Sequence, residues 1–192
     1  MKAIDRTGVD YYCQVTDVEL IQEIVRGLPD NPLCINIGAG MGTSALAMLE
    51  ARVDSRVISI DISEECLNEE RKLIINSGVS GINNGTLDRE RVYATLLGES
   101  QFVGRGQEKE SVDFVFVDGG HKWEECFEDA YVWYDALKPN GIMAFHDYES
   151  PIQVLESVKR AVDDVVKVLQ LEFVTKRGTL IVFRKVENER NS

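Results

Sequence analysis

The stretch from Leu33 to Ser63, LCINIGAGMGTSALAMLEARVDSRVISIDIS, constrains this chain more than any other. It reads as a short apolar strand, a glycine-rich turn, a helix, a second apolar strand and an acid at that strand's end. The turn is Gly38-Ala39-Gly40-Met41-Gly42, and the helix opens at Thr43-Ser44. Glycines belong there because the backbone must turn sharply and admit a ligand where a Cβ would clash. The first N–H groups of the helix lack partners of their own and face that ligand. Asp61 stands 19 residues past Gly42 (61 − 42), where a carboxylate accepts hydrogen bonds from ribose hydroxyls. The segment is a nucleoside-binding unit, with Gly38, Gly40, Gly42, Ser44, Asp61 and the apolar Ile62 as its candidate contacts.

Around that unit, strands and helices alternate. Thr16-Asp17-Val18-Glu19 is a capping-box pattern that opens a helix to about Leu28. Strands are expected at 33–37, 56–61, 91–96, 112–117 and 142–145. Between them lie helices at 43–51, from Ser63 to Asn76, and from Lys122 to Leu137 with Trp123, Phe127, Ala130, Tyr131, Tyr134 and Leu137 inward. Residues 78–90 and 98–111 read as polar loops. Ser150-Pro151 starts a last helix whose inner stripe includes Ile152, Leu155, Val158, Val162 and Val165. LEFV-TKRG-TLIVFRK reads as two antiparallel strands. The alternation predicts an α/β fold, a doubly wound (Rossmann-like) seven-stranded sheet with a C-terminal antiparallel hairpin. One domain is expected over 1–192, with its core at 16–185 and a frayed tail at 186–192.

Composition narrows the function classes. A hydrophobic fraction of 44% and a mean hydropathy of −0.16 are those of a soluble globular chain. No apolar run approaches the ~20 residues of a membrane span, and MKAIDRTGVDYYCQ lacks the apolar core of a signal peptide. Cys13, Cys34, Cys66 and Cys126 show neither metal nor redox spacing, so they are expected as reduced thiols of a cytoplasmic protein. A net charge of −12 argues against extended nucleic acid as a partner.

Spacing separates the nucleosides. A dinucleotide turn, G-x-G-x-x-G/A, asks for a small residue at position 43, where Thr43 stands. The G-x-G-x-G pattern resembles motif I of the class I S-adenosylmethionine-dependent methyltransferases. That family has an acid two residues before the first glycine, and this chain has Asn36 there. Gly98-Glu99-Ser100 is similar to the family's Gly-Asp-Ser, whose acid meets the adenine amino group. VDGGHKWEECFEDAYVWYDALKPNGIMAFHDY resembles the natural-product sugar (macrolide) O-methyltransferases and their cephalosporin-hydroxylase-like relatives.

The resemblance implies S-adenosylmethionine as cofactor, held by Asn36, Gly38, Gly40, Gly42, Ser44, Asp61, Ile62, Glu99, Ser100 and Asp118. It also implies Mg²⁺ or another divalent metal on Asp118, Asp147 and His146. His121, three residues after Asp118, matches the lysine base of the catechol O-methyltransferase type and is the expected general base. A small-molecule hydroxyl is the expected acceptor, and a homo-oligomer the expected assembly. Plainer readings stand beside these. Asp118 before Gly119-Gly120 also suits a turn, Glu99 a solvated loop, and His146 a structural role, since an imidazole is an unusual neighbour for Mg²⁺. The competing functions are a non-catalytic nucleoside- or partner-binding member of the fold and a nicotinamide oxidoreductase.

Overall fold

Val112–Val117 (VDFVFV) is buried at every position, as a strand covered on both faces must be. It forms the centre of a seven-stranded sheet. The computed structural model describes residues 15–79, 92–150 and 156–187, with the backbone alone of 82–83 and 86–87. In chain order the elements are α1 Val15–Arg26, β1 Leu33–Ile37, α2 Thr43–Ala51, β2 Arg56–Asp61 and α3 Glu64–Ser77. A two-stranded ladder follows, β3 Ile82–Asn83 and β4 Thr86–Leu87. Then come β5 Val92–Leu97, α4 Ser100–Arg105, β6 Val112–Val117, α5 Trp123–Ala136, β7 Leu137–Phe145, α6 Glu156–Val168, β8 Leu171–Arg177 and β9 Leu180–Lys185.

The sheet runs β5-β2-β1-β6-β7-β9-β8. The first five strands are parallel, while β9 inserts antiparallel between β7 and β8. One face is covered by α1, α2 and α3, whose Val18, Ile21, Leu46, Leu49 and Ile74 pack on Phe114 and Phe116. The other is covered by α5 and α6, where Trp133, Ala130 and Val162 pack on Val115 and Phe145.

Strand order reverses between β1 and β6, and this places the site. Each parallel ladder extends one residue past its strand. The N–H of Gly38 donates to Ile60 O at 2.9 Å, Gly98 to Asp61 O at 2.9 Å, Asp118 to Ile37 O at 2.9 Å, and His146 to Val117 O at 3.1 Å. Glycine turn, cleft acids and histidine are thus pinned to the carboxyl edge of one sheet, where open α/β sheets bind ligands.

Four sequence expectations change. Residues 98–111 are not all loop: α4 forms there, because Gly104 fits where a Cβ would stand 2.8–3.0 Å from Val132 and Trp133. Helix α5 turns Cys126, Ala130 and Trp133 inward, while Tyr131 lies outside on the stack Trp123–Phe127–Tyr131. Residues 138–141, between the helix expected to Leu137 and the strand expected at 142–145, sit inside β7, with a register shift opposite Val112/Phe114. Asp17, expected in a capping box at the helix start, lies within α1 and is fully buried. Cys13, the Pro151 helix start with Ile152 and Leu155, much of the 78–90 loop and the tail from 188 lie outside the described residues.

Gly38 has φ +88°, and a Cβ on it would fall far inside contact distance of the Asp118 carbonyl oxygen, a backbone atom held by the β1–β6 ladder. Left-handed backbone costs about 1–2 kcal/mol for a side-chain-bearing residue, and overpacking adds about 1–3. Gly38→Ala is therefore expected to lower unfolding free energy by about 2–5 kcal/mol in a denaturant titration. A loss below about 0.5 kcal/mol, the scale of a neutral surface change, would show that the two strand ends are not so tightly apposed.

Candidate active site

A cleft of about 640 Å³ opens along that carboxyl edge. Gly38, Gly40 and Ser44 line its floor, with Asp61 and Ile62 after β2 and Glu99 and Ser100 at the start of α4. Asp118, His121 and Asp147 line it too. Gly38, Gly40 and Gly42 all take positive φ, at 88°, 50° and 89°, which is why the turn needs glycines.

Asp61 is held from both sides. Its Oδ2 accepts from Ala39 N at 2.7 Å and its Oδ1 from Ser63 N at 2.7 Å. Each oxygen keeps a second lone pair, so the carboxylate is oriented and still able to accept from two hydroxyls. Ile62 beside it is 77% exposed, an apolar surface at the cleft mouth suited to a flat ring.

Three expected site residues stand elsewhere. Asn36 is fully buried beneath the turn, where its Nδ2 donates to Ser59 Oγ at 3.1 Å and Glu70 Oε2 at 3.4 Å. Its Oδ1 accepts from Ser44 Oγ at 3.0 Å. With every polar atom committed inward, it does not line the cleft. Gly42 packs on α3 instead of the cleft, since a Cβ there would lie 2.9 Å from Glu70 Cα. His146 is buried behind the cleft wall. Its Nδ1 is 3.2 Å from Asp118 Oδ1 and 3.5 Å from Asp147 Oδ1, while its Nε2 is 3.5 Å from Asp17 Oδ2.

The cleft side of the two acids belongs to His121 instead. Its Nε2 lies 3.0 Å from Asp147 Oδ2, and ligand atoms of Asp118, His121 and Asp147 all fall within 4.8 Å of one another. The hydrogen bond to Asp147 holds the His121 imidazole above its ordinary pKa, with Asp118 adding to the effect. Burial opposes charge on His146, yet Asp118, Asp147 and Asp17 outweigh it and hold this imidazole protonated. Burial pushes the Asp118 carboxyl up, with His146 pulling the other way. Burial also acts upward on Asp147, but His121 and His146 bring its carboxyl well below the usual range.

Three acids of this neighbourhood escaped the sequence reading: Asp17, Glu70 and Asp129. Each sits in helical register with apolar residues, as in Leu67-Glu70-Ile74 and Cys126-Asp129-Ala130-Trp133. An acid on an apolar stripe was the available signal. Asp129 lines the cleft and accepts a short hydrogen bond from Ser100 Oγ, which itself accepts from Trp133 Nε1 at 3.2 Å.

With this geometry in view, the comparisons are decisive at the family level. Residues 35–148, more than half of the chain, match the family model described as a methyltransferase domain. The chain belongs to that methyltransferase family. Over 50 residues, 26% of the chain, it is 42% identical to a release factor glutamine methyltransferase of Enterococcus faecalis, and it spans 18% of that relative's length. Two solved structures share the fold. A Corynebacterium glutamicum protein superposes with a TM-score of 0.72 at 14% identity, covering 98% of this chain and 90% of that one. The O-methyltransferase TomG of Streptomyces achromogenes, solved with S-adenosylmethionine, gives 0.68 at 12% identity over 97% and 87%. At such identities the likeness shows a common fold.

The buried acids of the methyltransferase domain leave a mark on stability. Burial lifts Asp129 to about 6, against the pull of Ser100. A carboxyl whose folded pKa exceeds its unfolded value binds more protons when folded, so stability falls as pH rises from about 4 to about 6. Asp129→Asn keeps the acceptor for Ser100 and removes this loss. It is expected to raise unfolding free energy at pH 7.5 by about 3 kcal/mol and leave it unchanged near pH 4. An equal effect at both pH values would mean that Asp129 is not the titrating group.

Proposed function

We propose that the chain transfers the methyl group of S-adenosylmethionine to a hydroxyl of a small molecule. The observation that carries this reading is the meeting, in one cleft, of a glycine turn and the acid Asp61 with the Asp118–His121–Asp147 cluster. The fit to the cofactor is chemical as well as spatial. Asp61 has free lone pairs for a ribose diol, and Ile62 offers an apolar face for a base. Among the described residues lining the cleft are six carboxylates, Asp61, Glu99, Asp118, Glu125, Asp129 and Asp147, with no Lys or Arg. That lining suits a cofactor bearing a sulfonium and an ammonium, and it disfavours phosphate-rich acceptors.

The cofactor supplies an already activated methyl group, which leaves two tasks to the protein: aligning the acceptor oxygen and taking its proton. His121 suits the second. Its Nε2–H donates to Asp147, which leaves Nδ1 with the lone pair that accepts a proton, and Asp147 then stabilises the imidazolium. The acids Asp118 and Asp147 are the residues that would hold a divalent cation. Bound there, an oxygen-seeking ion such as Mg²⁺ or Mn²⁺ supplies Lewis-acid polarisation of the acceptor oxygen. His146, behind both acids, orients them without facing the cleft.

His121→Ala separates base from binding site. Turnover against a panel of hydroxylated acceptors is expected to fall about 10²–10⁴-fold, while calorimetric affinity for S-adenosylhomocysteine stays near the wild-type value. Full turnover in that variant would remove His121 from proton transfer. In a parallel arm, chelation with EDTA is expected to stop turnover and Mg²⁺ or Mn²⁺ to restore it. An undiminished rate after chelation would leave Asp118 and Asp147 as partners of the histidines only.

A further inference from the structure

Beneath the glycine turn lies a charge that the proposed chemistry does not use. Glu70, on α3, is fully buried. Its Oε1 accepts from Tyr93 Oη at 2.7 Å and its Oε2 from Asn36 Nδ2 at 3.4 Å, and the Ser59 hydroxyl bonds to the same carboxylate. Its stem is packed against Gly42, where a Cβ would stand 3.0 Å from Glu70 Cγ. Two routes lead from this carboxylate to the cleft. One passes through the Gly42 backbone to its neighbours Met41 and Thr43, which line the cleft. The other runs through Asn36 to Ser44, which lines the cleft.

Burying a carboxylate costs several kcal/mol, and an apolar side chain of similar volume would be no worse for stability alone. What the side chain adds is an acid under the start of α2, a negative charge once it is ionised at pH 8. That helix begins at a glycine N-cap with no side-chain cap and has no acid in its first turn. Its positive end attracts anions and repels cations. A ligand whose charged arm carries both a carboxylate and an ammonium needs the two signs side by side.

We propose that Glu70 is a positioning residue that makes the glycine turn selective for nucleosides with an ammonium-bearing arm over neutral ones. This rests on the S-adenosylmethionine reading and adds the residue that recognises the cofactor's cationic arm. The acid is delivered from α3 rather than from β1, where Asn36 occupies the strand position and relays the charge as a neutral amide.

Calorimetry with two probes tests this, S-adenosylhomocysteine, which carries the ammonium, and 5′-methylthioadenosine, which shares the adenosine but is neutral. Glu70→Gln keeps the shape and removes the charge. At pH 8 it is expected to weaken S-adenosylhomocysteine on the order of tenfold, the scale of a charge acting on another roughly 12 Å away at an effective dielectric near 20, and to leave methylthioadenosine within about twofold. The double variant Asn36→Asp/Glu70→Gln returns a carboxylate to the network from β1 and is expected to recover the preference. Equal weakening of both probes, or of neither, overturns the proposal.

A second arm uses the wild type and so does not depend on the variants folding. Burial pushes Glu70 up to about 7, with Ser59 and Tyr93 pulling the other way. The other charged groups facing it are Asp61 at the end of β2 and Arg71, whose guanidinium is bonded to Thr95. The ionised form favours the cation, so the preference for S-adenosylhomocysteine should be present at pH 8 and decline towards pH 6. A preference constant across that range overturns the assignment. A wild-type protein that binds neither probe defeats the cofactor reading itself, and this inference with it.

Discussion

The close approach of two strand ends governs the rest of the molecule. At the point where strand order reverses, β1 and β6 run side by side, and the chain leaves them in opposite directions. Gly38 and Asp118 meet there without room for a single carbon between them. That contact aims the glycine turn and the Asp118 loop into one cleft. Everything placed along the cleft, from Asp61 to Asp147, inherits its position from ladders that continue one residue past each strand. Parallel sheets are slow to assemble because their pairings are non-local, but once formed they hold such loops rigidly.

The second organising feature is a set of buried charges arranged in two networks behind the cleft. One runs from Asp17 on α1 through His146 to Asp118 and Asp147. The other joins Glu70, Asn36, Ser59, Ser44 and Tyr93 beneath the turn. Neither is economical as a source of stability, since removing carboxylates from water costs about as much as their partners return. Both fix the orientation of groups that line the cleft, which is the use such networks serve best when fully satisfied.

Much of this was legible in the sequence, for local reasons. The G-x-G-x-G turn, Ser63 as helix cap, Gly78 as helix end and the apolar runs of β1, β2 and β6 are written in residues whose chemistry acts on their own backbone. The seven-stranded sheet followed from their alternation, and the methyltransferase family from the motifs hung on it. What stayed hidden is tertiary. In EERKL, Glu70 looks like any surface charge, and only the packing of α3 under the turn reveals that it faces inward. The same holds for Asp17, which looked like a capping acid, and for α5, where Trp133 alone of the five aromatic residues is fully buried. His146, expected as a metal ligand beside Asp118 and Asp147, lies buried behind them, while His121 is on the cleft side.

The identity of the bound nucleoside decides the function. Native mass spectrometry of the purified chain, titrated in parallel with S-adenosylhomocysteine and NADH, tests it most directly. The geometry predicts a saturable adduct of one S-adenosylhomocysteine per chain and none with NADH at the same concentration. A chain that retains NADH instead, or that shows no adduct with S-adenosylhomocysteine, would contradict it.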